Sequence, residues 1–104
     1  MKVYNMKSPN GNKVANQFVI TDADFDRITF QSYDSEIVTI DYANGIIFVG
    51  ENWEYSRTTG KYRNIFMSNA VGMMENAKDF RSALKSGICV DPTGRAWTIE
   101  KKFM

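Results

Sequence analysis

The chain has no histidine, one cysteine and two prolines among its 104 residues. The missing histidine excludes Ser-His and Cys-His nucleophile pairs and removes the commonest metal ligand. Lone Cys89 forms no internal disulfide and, with no histidine to join it, no structural zinc set. A single cysteine fits a reducing cytoplasm. There is no signal-peptide pattern, no apolar run long enough to cross a bilayer, no Asn-x-Ser/Thr acceptor, and no internal repeat or linker. Carboxylate, lysine or tyrosine chemistry is not excluded, but no carboxylate pair singles itself out. The expectation is therefore a non-enzymatic protein without metal or cofactor, located in the cytoplasm.

What is present fits one folded domain. Hydrophobic residues make up 43% and aromatics 13%, too much for a disordered tail. The net charge is only +1, so no overall field points to nucleic acid. Its distribution is uneven. Residues 20–54 carry eight acids and one base, whereas residues 55–104 carry nine bases and four acids.

The first two thirds read as strands. Lys2 to Met6, Gln17 to Thr21 and Asp26 to Tyr33 are β-rich, with a turn cluster at Ser8-Pro9-Asn10-Gly11-Asn12. The next pair, Glu36–Tyr42 and Ile46–Val49, flanks Asn44-Gly45, which predicts a two-residue type I′ hairpin. That register sets Tyr42 opposite Ile47 and Ile40 opposite Val49, with Val38 on the same core face. Phe48, Thr39 and Ile37 then share the other face, where a helix is expected to cover them.

The last third turns helical. Tyr62, Ile65, Phe66 and Asn69 follow i, i+3, i+4 spacing, and Met73, Ala77, Phe80 and Leu84 form a second stripe closed by Gly87. Ile88–Val90 and Ala96–Ile99 around Asp91-Pro92-Thr93-Gly94 predict a closing hairpin. The expected fold is α+β: an antiparallel sheet of about five or six strands with two helices packed on one face.

The segment Trp53 to Asn64 carries the functional expectation. It holds three aromatics, three cations and three hydroxyls, and no acid follows Glu54 until Glu75. It reads either as a strand ending near Tyr55 followed by a helix capped by Ser56 or Thr58, or as a hairpin turning at Thr59-Gly60. The apolar spacing favours the helix. Free N–H groups at its start would attract an anion, with Arg57, Lys61 and Arg63 adding charge. In the plainer reading, the hydroxyls only cap the helix, Trp53 and Tyr62 fill the core, and the cations are solvated.

Other motifs carry less. Asp22-Ala23-Asp24-Phe25-Asp26 begins like a calcium loop but has Arg27 at the sixth position and Tyr33 at the twelfth. It is a solvated loop or a patch for a basic partner. Gly60-Lys61 lacks the upstream glycine of a P-loop. Met67, Met73, Met74 and Cys89 are expected in the core. Phe103 and Met104 pack back, meet a second copy, or fray.

Tyr55-Ser56-Arg57-Thr58-Thr59-Gly60-Lys61-Tyr62, with Trp53 before it and Phe66 after it, resembles a motif of small uncharacterised proteins of phages and prophages of Gram-positive bacteria. Ser8-Pro9-Asn10-Gly11-Asn12-Lys13-Val14-Ala15-Asn16-Gln17-Phe18 and Phe30-Gln31-Ser32-Tyr33 extend the resemblance over about two thirds of the chain. It implies a phage accessory protein in the cytoplasm of the infected host. Such proteins commonly bind and block a host protein or ribonucleoprotein, including defence nucleases in the manner of anti-CRISPR proteins. It carries over no catalytic residue.

The expected partner-binding residues are Tyr55, Arg57, Lys61, Tyr62 and Arg63, with Asp22, Asp24 and Asp26 as a second patch and Trp53 structural. The alternative is direct nucleic-acid binding by the same cations and tyrosines, which would weaken steeply with salt. Either a monomer or a homodimer is compatible with the sequence.

Overall fold

The computed structural model describes residues 1–24 and 26–103; Phe25 of the acidic loop and Met104 of the C-terminal pair lie outside them. The elements run β1 (Lys2–Lys7), β2 (Lys13–Thr21), β3 (Arg27–Ser32), β4 (Ser35–Asp41), β5 (Ile46–Val49), α1 (Arg57–Ala70), α2 (Ala77–Ser86), β6 (Ile88–Val90) and β7 (Ala96–Lys101). The strands form one sheet in the order β1-β2-β3-β4-β5-β7-β6. The fold is α+β, with seven strands where five or six were expected. Every pair is antiparallel except β5–β7, which is parallel. Parallel neighbours need a long crossover, and here the crossover carries both helices.

Period-2 alternation decides what the sheet buries. Val19, Phe30, Val38, Ile40, Ile47, Val49, Trp97 and Ile99 are buried with Tyr62, Phe66 and Met67 of α1 and Phe80 and Ala83 of α2 in one core. Phe66 stacks on Phe30 at 5.8 Å between centroids, the contact that seats α1 on the middle strands. Phe103 packs back against this core.

Two expectations about the β4–β5 hairpin need correction. Ile40 pairs with Ile47, and Val38 with Val49, so residues 42–45 form a four-residue loop and not a type I′ turn. A type I′ turn needs positive φ at both central residues. Gly45 has it (φ 68) and Asn44 does not. The buried Asp41 carboxylate, which accepts from the Asn44 amide N–H and side chain, captures the chain in the wider loop. The slip is two residues, so the core face is unchanged.

Phe48 does fall on the opposite face, but no helix covers that face. The cations of Arg27 (5.5 Å) and Lys102 (4.7 Å) lie over its ring instead. Ile37 escapes water through a β-bulge. Phe30 pairs with Val38 and Gln31 with Glu36, which leaves Ile37 unpaired and buried.

The closing hairpin is held by Asp91. Its carboxylate accepts from the Thr93 hydroxyl, the Thr93 and Arg95 N–H groups and the Trp97 indole. These bonds, the Thr93 hydroxyl first and the Trp97 indole next, hold its pKa at about 2, below the ordinary 3.8. A depressed carboxylate contributes stability above its unfolded value and loses it as pH falls through the folded one. The melting temperature should therefore fall between pH 4 and about 2, and Asp91→Asn should flatten part of that slope. Thermal melts of both proteins across the range check this; parallel slopes would contradict it.

Candidate functional site

The chain enters α1 through Ser56, whose extended backbone (φ −152°) and side chain, accepting from the Thr59 N–H at 3.1 Å, make the N-cap. Of the two candidate caps, Ser56 is the one used, and the helix holds over the hairpin, but the strand expected to end near Tyr55 is absent: β5 stops at Val49 and residues 51–54 form turns. Buried Thr59 then bonds the hydroxyl of Ser32 at 2.9 Å, which ties the helix start to the end of β3.

Helical geometry divides the expected partner-binding residues. Tyr55, Arg57 and Lys61 are exposed. Tyr62 and Arg63 are not: both lie on the core side of α1, so their placement at a partner surface is corrected. Arg63 is 1% exposed. It donates to the Trp53 carbonyl at 2.7 Å and to Asn64 at 2.9 Å, and its guanidinium lies 5.3 Å and 4.9 Å from the rings of Trp53 and Phe80. Those rings stack on each other at 5.1 Å. Burial pushes the Arg63 pKa down, opposed by Glu54 and reinforced by Arg81. Arg63 thus joins the loop before α1 to α2. A spacing argument assigns its face but not its role, because a cation on the apolar side has no recognisable sequence signature.

The acidic loop is not part of the same place. Asp24 and Asp26 are exposed and Asp22 is half-buried. They lie between β2 and β3, at the opposite end of β3 from Ser32. A six-residue strand spans about 20 Å. Moreover, the Tyr42 hydroxyl donates to Ala70 at the far end of α1, and the Tyr42 N–H donates to Asp26. The acids therefore neighbour the helix C-terminus, a helix length from Tyr55.

What the fold does bring to Tyr55 is the β3–β4 turn. A cleft of about 570 Å³ opens between them, with Tyr33, Asp34 and Ser35 on one wall, Tyr55, Ser56 and Thr58 on the other, and Ile37 and Asn52 also lining it. Its volume lies within the range of small-ligand and side-chain pockets. Tyr55 is 72% exposed and Tyr33 48%. Tyr33 occupies a left-handed backbone (φ 54), a conformation that glycine or asparagine adopts more cheaply. In the sequence Ser32 and Tyr33 stand only at the end of a β-rich run and within the resemblance, with nothing to mark them as site residues. Their meeting with α1 is a long-range contact, and the one signal available was a turn between two β-rich runs.

Among the described residues no group of three or more histidine, cysteine, aspartate or glutamate side chains is placed to hold a metal ion, and no helix is long and apolar enough to cross a membrane. The Cys89 thiol is half-buried in β6, and burial pushes its pKa up. The profile of one protein family, DUF8033, matches residues 1–82. The chain belongs to DUF8033. That family is one of unknown function. The match takes in both walls of the cleft and stops within α2, ahead of β6 and β7. No curated protein and no solved structure matches the chain.

Proposed function

We propose that this DUF8033 chain is a non-enzymatic binding protein of a phage or prophage that inhibits a host protein or ribonucleoprotein by occluding a functional site, with defence nucleases as the target class. It acts in the cytoplasm of the infected bacterium. The observation that carries the reading is the exposure of Arg57 and Lys61 on the first turns of a capped helix and of Tyr55 just ahead of its cap, with a second exposed tyrosine, Tyr33, lining the same cleft as Tyr55. Tyrosine and arginine are the residues that most often dominate binding energy at interfaces, and a rigid element presents them at low entropic cost. The near-neutral net charge and the eight acids of residues 20–54 weigh against strong non-specific binding to nucleic acid.

The test is capture from a lysate of a Gram-positive bacterium, with and without nuclease, using the wild type and a Tyr55→Ala/Arg57→Ala variant. The expected result is one stoichiometric host protein that survives nuclease. The variant should retain it at least about 30-fold less well, the effect of losing about 2 kcal/mol at a hot spot. Its unfolding midpoint should not move, since both side chains stand in solvent. Loss of every partner after nuclease would replace this reading with direct nucleic-acid binding. Equal capture by the variant would remove these residues from the site.

A further inference from the structure

We infer that the cleft between the β3–β4 turn and the start of α1 is a receptor for an arginine side chain of the partner protein, held by the carboxylate of Asp34 between the rings of Tyr33 and Tyr55. The inference deepens the binding-protein reading and rests on it for the partner being a protein.

The lining contains one ionised group, and it is an acid, Asp34. The hydroxyls of Ser32, Ser56 and Thr59 are already engaged with one another. The Asn52 side-chain amide donates to the Ser35 hydroxyl at 2.9 Å. No other described side chain engages the Asp34 carboxylate. What the cleft offers is therefore one full negative charge among neutral polar groups, beside two exposed tyrosines. The complement of that set is a flat cation rich in N–H donors. Guanidinium has five such donors in a planar fork, pairs with carboxylates in two-point fashion and stacks on aromatic rings; an ammonium does only part of this.

The start of α1 carries about half a positive unit, less than the full negative charge of Asp34, and it is capped by Ser56. Arg57 and Lys61 line a separate groove with Glu54 and Asn64 and do not enter this one.

Tyr33 supplies the second strand of the argument. A tyrosine in left-handed backbone is less stable there than asparagine or glycine. The turn holds it regardless, its N–H donating to the Asn16 carbonyl and its own carbonyl accepting from the Gln31 side chain. A residue that costs stability at an exposed cleft is best explained by what its ring does there.

The experiment is an NMR titration of the full chain with a capped Gly-Arg-Gly peptide, beside peptides with lysine or citrulline in place of arginine, and with uridine monophosphate. The arginine peptide should give saturable shifts confined to residues 32–35, 52 and 55–58. Citrulline should bind at least about tenfold more weakly, since it keeps the shape and loses the charge, and lysine should fall between. Asp34→Asn should weaken the arginine peptide at least tenfold. Tyr33→Asn should weaken it comparably while raising the melting temperature by about 4 °C, the mark of a strained functional residue relieved. Equal shifts from arginine and citrulline, no shifts in these residues, or tighter saturation by the nucleotide would each overturn the inference. Because the probe is a peptide, this result is independent of whether a host protein is captured: capture unaffected by Asp34→Asn would retire the arginine receptor and leave the binding-protein reading standing.

Discussion

Arg63→Ala is expected to lower the folding free energy by about 4 kcal/mol, a large part of the stability of a chain this size. Three losses combine. The Trp53 carbonyl and the Asn64 side-chain oxygen each lose a charged donor, at 2.7 Å and 2.9 Å respectively. The Trp53 and Phe80 rings lose the guanidinium that lies within 5.3 Å of both. A space the size of an arginine side chain then opens where α1, α2 and the loop before α1 meet, and truncations of large buried side chains cost about 3–5 kcal/mol. Arg63→Lys recovers the charge but not the planar two-point donation, and should fall between wild type and alanine. Arg57→Ala, six residues earlier on the exposed side, should change stability by less than about 0.5 kcal/mol. Chemical denaturation of the three variants checks this. An Arg63→Ala loss below about 1 kcal/mol would show that the buried guanidinium is not a fold determinant.

Gly50→Ala is expected to cost at least about 3 kcal/mol, for a reason unrelated to backbone conformation. A Cβ at residue 50 would overlap the backbone carbonyl oxygen of Glu36, across the β4 bulge. That oxygen belongs to main chain and cannot swing aside as a side-chain tip would. The two backbones approach this closely because the Gly50 N–H donates to Ile37, the unpaired residue of the bulge, at 2.9 Å. Relief would require parting the strands there and exposing Ile37, and overpacking of this kind costs about 1–3 kcal/mol even where side chains can yield. The unfolding midpoint of Gly50→Ala is the check. A shift equivalent to less than 1 kcal/mol would mean that the bulge can open without penalty.

These two positions illustrate what the sequence could and could not yield. Local periodicity located both helices and the faces of β4 and β5 except at Ile37, which the bulge carries into the core, because burial of one face repeats at 2.0 or 3.6 residues whatever the partner. It also narrowed the cap to Ser56 or Thr58 and marked Gly87 as a helix end, since capping is settled within one turn. It missed the loop register, where the Asp41 side chain outcompetes the Asn-Gly preference. It missed the parallel β5–β7 pair, which is set by a crossover of more than forty residues. The same limit applies to the site. Tyr55, Arg57 and Lys61 were recognisable as a cluster because they are neighbours in sequence. Arg63 belongs to that cluster in sequence and to the core in space, while Tyr33 and Asp34 meet Tyr55 in space alone.

The central claim is that residues 53–64 are divided, with Trp53, Tyr62 and Arg63 maintaining the fold and Tyr55, Arg57 and Lys61 recognising a host protein. The most direct test is quantitative capture of that protein, after nuclease treatment, by a Tyr55→Ala/Arg57→Ala variant shown by its unfolding midpoint to be as stable as wild type. The account predicts a nuclease-resistant host partner for the wild type and a loss of capture of at least about 30-fold for the variant. Undiminished capture by the folded variant, or a partner that vanishes with nuclease, would contradict it.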